Sequence, residues 1–237
     1  MGFNNILYDK KGPLLTVTIN RPGRRNALNL EAVHELIEAM GRANEDSDVR
    51  VVVITGAGDA FCAGADLKEA PEMTPTVAHD VVGLYLDLVR AVRLVAKPVV
   101  ARVNGVAVGG GCCTALASDI RIASESASFV LAFVNIGISA ADMGATYLLP
   151  RLIGYGRAAE ILMTGETVDA REAERIGLVN RTVPREQLDA VVDELTERLA
   201  SRPPLGLAYT KRALYSGLDK GWETELDYEH LAQVRCI

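Results

Sequence analysis

A chain of 237 residues with 49% hydrophobic and 24% charged residues can bury a sizeable core and is too apolar for a disordered polymer. Its net charge of −6 disfavours a nucleic-acid partner held by bulk charge, so any anionic ligand must be held by local groups. No apolar stretch reaches bilayer-spanning length and no basic-then-apolar leader opens the chain; with four cysteines, none in a C-x-x-C pair, and three scattered histidines, the expectation is a cytoplasmic protein without metal site, disulfide framework or membrane partner.

In chain order, residues 14–20 (LLTVTIN) alternate branched apolar residues with threonine and predict a strand, ended by Arg21-Pro22-Gly23. Val33, Leu36, Ile37 and Met40 share one face of a helix over residues 30–43. Residues 50–55 (RVVVIT) form a near-continuous apolar run, the signature of a buried strand, and Gly56-Ala57-Gly58 breaks it. A helix over 76–97 stops before Pro98, and 98–103 is another buried strand, followed by the turn Asn104-Gly105. A short helix over 111–118 and a short strand over 120–123 come next, then a helix over 141–153 that bends or breaks at Pro150. Asp169 and Glu172 mark a helix start, 178–183 a strand, and Leu188, Val191, Val192, Leu195 and Leu199 a helical stripe. Pro203-Pro204 separates that stripe from a last helical segment. Strands alternate with helices through the first two thirds and helix dominates afterwards, which predicts an α/β core with a helical C-terminal part.

Two segments carry chemistry. Phe61-Cys62-Ala63-Gly64-Ala65-Asp66-Leu67-Lys68 follows one buried strand, and Asn104-Gly105-Val106-Ala107-Val108-Gly109-Gly110-Gly111-Cys112 follows the next. Where a strand hands over to a helix, backbone N–H groups are unpaired and the helix dipole adds positive charge. Two such groups converging on one oxygen make an oxyanion hole, and small residues let a ligand carbonyl approach the backbone. Taken singly, each segment also reads as a plain tight turn.

These motifs, FCAGADLKE and NGVAVGGGC, together with RPGRRNALN, LASDIRIAS, LLPRLIG and EAERIGLVNRTV, resemble the enoyl-CoA hydratase/isomerase (crotonase-like) family in register from about residue 10 to about residue 215. The resemblance implies a spiral of β-β-α turns over residues 1–195 holding the acyl-CoA site. It also implies a helical part over 196–237 used in trimer or hexamer packing, which many members of the family extend by another short helix. It implies that the thioester carbonyl is bound by the N–H groups of Ala65 and Gly110. It places CoA contacts at Arg25, Ala27, Ala63, Asp66, Leu67 and Lys68, with coenzyme A entering as part of the substrate and no separate cofactor. Arg24 or Arg25 could pair with CoA phosphates or simply belong to a solvated turn.

The family's hydratases use two glutamates, and here their positions carry Cys113 and Phe133. Phenylalanine cannot titrate, and a cysteine's ordinary pKa is about 8.5, so addition of water by two carboxylates is unsupported. Ser139-Ala140-Ala141-Asp142-Met143-Gly144 resembles the acid-bearing stretch of the dienoyl-CoA isomerase branch, which implies Asp142 as the acid/base group. Its alternative role is that of a helix N-cap, and Cys113 also reads as a small buried hydrophobe. Two further readings stand beside the enzyme: an acyl-CoA-binding protein that kept the carbonyl site without catalysis, and a nicotinamide oxidoreductase. The latter rests on Gly154-Tyr155-Gly156-Arg157-Ala158-Ala159 with Glu174 further on, but no strand is predicted before it, as the fingerprint needs.

Overall fold

A computed structural model describes residues 2–237. The chain opens with strands β1 (Ile6–Lys11) and β2 (Leu14–Ile19), paired antiparallel around a two-residue turn in which Gly12 takes a left-handed φ of 57°. Helix α1 (Leu30–Glu45) begins where the Asn29 side chain accepts the Ala32 N–H at 2.9 Å, an N-cap that satisfies one of the free donors of the first turn. Its apolar face, Ala32, Val33, Leu36, Ala39, Met40 and Ala43, is buried, as the 3.6-residue spacing predicts.

Three consecutive units then repeat one plan. Each sends one strand to a large sheet and the next to a small sheet, and a helix returns the chain. They are β3 (Val51–Gly56), β4 (Ala60–Cys62) and helix α2 (Pro75–Leu94); β5 (Val99–Val103), β6 (Val106–Val108) and α3 (Gly110–Ala117); and β7 (Ile120–Ser124) and β8 (Ser128–Val130), followed by α4 (Ala145–Ile153) and α5 (Tyr155–Thr164). Strand β9 (Thr167–Asp169), helix α6 (Ala170–Arg175) and strand β10 (Arg181–Val183) complete the sheets. The large sheet runs β1-β2-β3-β5-β7-β10 and the small one β4-β6-β8-β9. Every residue of β3 is buried, because both faces of the large sheet are covered. One face meets α1 and the main core. The other meets α7 (Leu188–Ala200), whose Leu188, Val192 and Leu195 pack on Val51, Val53, Val100 and Ile122. Helices α8 (Pro204–Gly217) and α9 (Trp222–Cys236) follow.

Some sequence expectations shift. The helix predicted over 141–153 starts only at Ala145, and it runs past Pro150 to end at Gly154 (φ 83°). Pro150 removes one intrahelical donor without ending the helix, since the glycine does so four residues later. The strand predicted over 178–183 is confined to Arg181–Val183; Leu178 and Val179 are buried in the turn before it. The Gly154 motif follows helix α4 instead of a strand and runs on into α5, so the dinucleotide fingerprint lacks its context. No described helix is long and apolar enough to cross a membrane.

Candidate active site

The two glycine-bearing turns lie side by side because strands β4 and β6 are parallel neighbours. Gly64 has φ +86°, and a Cβ built there would come within 2.8 Å of the Val108 carbonyl oxygen. A Cβ on Gly111 would meet the Cys62 carbonyl oxygen at 2.3 Å. Only glycine permits this approach of backbone to backbone.

In the first turn, Leu28 forms a parallel bridge to Ala65. The Leu28 N–H donates to Gly64 O at 2.7 Å, and Leu28 O accepts from the Asp66 N–H at 2.8 Å. In such a bridge the intervening residue turns its own N–H and C=O to the other side. The Ala65 N–H accordingly has no acceptor among the described residues. In the second turn, Gly109 (φ 49°) donates its N–H to Val130 O at 2.8 Å, and Gly110 opens helix α3. A first-turn N–H has no partner within its helix, and none outside it is found for Gly110 among the described residues.

Both groups border a cavity of about 250 Å³ whose walls come from Tyr85 of α2, Phe133, Ile136, Ile138 and Met143. Asp142 is the one carboxylate among its lining residues. Burial raises the Asp142 pKa above the ordinary carboxylate range, opposed by the Met143 N–H that donates to Oδ1 at 2.8 Å. Asp142 does not cap α4: that place is held by Gly144, and Asp142 contributes only its backbone oxygen to the Ala145 N–H. Met143 is forced into the left-handed region (φ 44°) and is 1% exposed. Its Sδ sits 2.9 Å from where a Gly110 Cβ would be. A carboxylate with raised pKa beside two free N–H groups in an apolar cavity can exchange a proton while negative charge gathers on a neighbouring oxygen.

Cys113 is fully buried within α3 and absent from the cavity wall, and burial pushes its thiol well above the ordinary value; Cys112 is pushed up to about 12 by the same cause. Both behave as small core residues. The Phe133 ring lies in the wall itself.

The remaining predicted site residues divide by environment. Ala63 and Leu67 line the cavity, and Leu67 and Lys68 are exposed. Ala27 is buried next to Leu28. Arg25 is exposed, in the left-handed region (φ 49°), and makes no ion pair among the described residues, while its backbone oxygen accepts the Ala63 N–H at 3.0 Å. Asp66 is 5% exposed, and its carboxylate is taken up by Arg24 (Nη2 at 2.6 Å) and Arg21 (Nη1 at 2.9 Å). Burial pushes its pKa up, but the hydrogen bonds from Arg24 and Arg21 outweigh this and lower it to about 2. Of the Arg24-Arg25 pair, only Arg25 therefore keeps a guanidinium free of carboxylate. Among the described residues no cluster of three or more His, Cys, Asp or Glu is arranged to hold a metal.

Two contributors stand outside the predicted site residues, although Asn26 lies within the RPGRRNALN motif. Tyr85 sits at an ordinary apolar position of α2. Asn26 clamps the turn through Nδ2 to the oxygens of Ala57 (2.8 Å) and Ala60 (2.7 Å), contacts that exist only once distant segments meet.

The family model for enoyl-CoA hydratase/isomerase matches residues 9–235. A probable enoyl-CoA hydratase of Mycobacterium tuberculosis is 46% identical over 226 residues, 92% of this chain and 79% of the relative. The short-chain-enoyl-CoA hydratase of Clostridium acetobutylicum is 38% identical over 238 residues, 100% of this chain and 91% of the relative. The 1,2-epoxyphenylacetyl-CoA isomerase of Escherichia coli is 37% identical over 235 residues, 96% and 89%. A crystal structure of a probable enoyl-CoA hydratase/isomerase from Mycobacterium abscessus superposes with a TM-score of 0.92 at 41% identity, covering 98% of this chain and 90% of that one. The two sheets, the repeated strand–strand–helix units and these likenesses give one conclusion: the fold is crotonase-like, and the chain belongs to the enoyl-CoA hydratase/isomerase family.

Proposed function

We propose that this protein binds an acyl-CoA thioester with its carbonyl oxygen between the N–H groups of Ala65 and Gly110, and that Asp142 moves a proton between two carbons of the acyl chain. The Asp142 carboxylate takes a proton from the carbon next to the carbonyl. The electron pair flows to the thioester oxygen, which the two N–H groups stabilise as an enolate. The proton returns to a carbon further along, and the double bond migrates. Nothing is added or lost, so one carboxylate suffices and no separate cofactor is needed. The observation that carries this reading is that Asp142 is the cavity's one carboxylate, with Cys113 and Phe133 where a hydratase would hold two more.

The CoA portion runs past Ala63, Ala27 and Leu67, and Arg25 and Lys68 offer exposed positive charge to its phosphates. Asp66 supports this surface indirectly, by holding Arg21 and Arg24. Helices α8 and α9 leave Leu214 (68%), Trp222 (73%) and Leu231 (64%) exposed, which suits packing into a trimer or a dimer of trimers.

The test is isomerisation of trans-3-hexenoyl-CoA, followed by the rise of conjugated-thioester absorbance, alongside hydration of crotonyl-CoA. Turnover of the first and negligible turnover of the second are expected. Asp142→Asn lowers kcat by roughly 10²–10⁴, the usual worth of a positioned acid/base, while acyl-CoA affinity changes little. Unchanged turnover in that variant overturns the assignment. Binding without conversion of either thioester in the parent protein would favour the non-catalytic acyl-CoA-binding reading, which the loss of both hydratase acids also motivates.

A further inference from the structure

We infer that Tyr85 is a positioning residue that sets the direction of the Ala65 N–H through its hydrogen bond to the Leu28 carbonyl; the inference rests on the carbonyl-binding role proposed above for Ala65. The Tyr85 hydroxyl donates to Leu28 O at 2.7 Å. That oxygen also accepts the Asp66 N–H, and the Leu28 N–H holds Gly64 O. Leu28 thus grips the residues on both sides of Ala65, and Tyr85 braces Leu28 from a third direction, out of helix α2. The same side chain reaches the second turn, since its Cδ1 lies 3.8 Å from where a Gly110 Cβ would be. One 7% exposed tyrosine therefore braces Leu28, which bridges the first turn, and lines the same cavity as Ala65 and Gly110.

The turn from Ala63 to Asp66 needs such a brace. Gly64 holds a left-handed φ and Ala65 is itself exposed at the cavity edge, so the turn is held from behind: at Ala63 by Arg25 O, at Asp66 by Arg21 and Arg24, and through Leu28 by Tyr85. The direction of its N–H depends on what grips it from behind. Burial also keeps the Tyr85 phenol protonated by raising its pKa, so the donor is present at all working pH values. An N–H that swings away from the carbonyl weakens stabilisation of the enolate more than binding of the ground-state thioester, because charge on oxygen is larger in the former.

The experiment is Tyr85→Phe, which keeps the ring in the cavity wall and deletes the brace. Its readouts are kcat, affinity for butyryl-CoA, and the infrared carbonyl band of bound butyryl-CoA labelled with ¹³C at the carbonyl. Parent protein should lower the band relative to free butyryl-CoA. The variant should return it toward the free position and lose about tenfold in kcat, the worth of one hydrogen bond, with affinity within about twofold of the parent. Tyr147→Phe, which deletes a different tyrosine hydrogen bond, to the Asp219 carboxylate, far along the chain from both turns, serves as the control and should leave the band unmoved. A Tyr85→Phe band at the parent position overturns the inference. A parent band that matches free butyryl-CoA instead overturns the carbonyl-binding reading, and the two failures are distinct. Should Tyr85→Phe not fold, 3-fluorotyrosine at position 85, a stronger donor, should lower the band further, and an unmoved band there counts equally against the role.

Discussion

At the scale of single residues, two aspartates of this protein are pushed in opposite directions by their surroundings. Asp142, with burial dominating, titrates above the ordinary carboxylate value, so its base form is gained at higher pH than a free aspartate's, about 3.9. kcat/KM is expected to rise with pH through that elevated pKa, and a pH–rate profile of the parent protein checks it; a profile flat down to the free aspartate range would count against Asp142 as the base. The stability consequence has its own sign. A group whose pKa is raised on folding contributes most below its unfolded value, and that contribution is lost as pH climbs through the folded one. Asp142→Asn should therefore melt higher than the parent at about pH 7 and lose that advantage in acid. Asp66 is the reverse case. Burial opposes its charge, but Arg24 and Arg21 hold it to about 2. Its contribution is present above the unfolded value of about 3.9 and is lost as pH falls toward the folded one. Acid titration followed by circular dichroism should show a shallower loss of structure in Asp66→Asn than in the parent.

At the scale of elements, the site depends on how closely two turns approach. Gly64→Ala places a methyl 2.8 Å from Val108 O at a φ of +86°. The turn must move, and a cost of about 1–3 kcal/mol with a loss of kcat is expected; urea unfolding and steady-state kinetics measure both. This approach also shows what could be read in advance. Strands β3 and β5 and helices α1 and α7 declare themselves by apolar runs or a clear helical stripe. The two small-residue segments after β3 and β5 were recognisable as strand-to-helix turns, and Asp142 as a candidate acid. The three-residue strands β4, β6, β8 and β9 were not, because three residues show no period and their pairing is with distant segments. Strand β1 escaped because DKK at its end is exposed at a sheet edge and looks like loop. The motif gives no hint that Arg21 and Arg24 fold back onto the Asp66 carboxylate.

At the scale of the whole molecule, Arg121 joins parts that are remote in sequence. It is 4% exposed and pairs with no carboxylate among the described residues; its Nη1 donates to Ser118 O at 2.7 Å and its Nε to Leu178 O at 2.8 Å. It thereby caps the C-terminal end of α3, where the helix dipole favours a cation, and ties it to the turn before β10. Arg121→Ala strands several buried carbonyls, and a loss of about 3–5 kcal/mol in unfolding free energy is expected from such a break, read as a lowered urea midpoint. Sedimentation equilibrium should find the protein at a multiple of three chain masses, and a monomer would remove the role suggested for the exposed side chains of α8 and α9. The free N–H groups of Ala65 and Gly110 belong to the main chain, and this has an evolutionary consequence. A main-chain donor has no codon of its own: of all single substitutions, only one to proline deletes it. A side-chain acid vanishes with one base change. On the reading proposed above, the acid can therefore change position by substitution while the two main-chain donors persist, so the reaction can drift faster than the recognition.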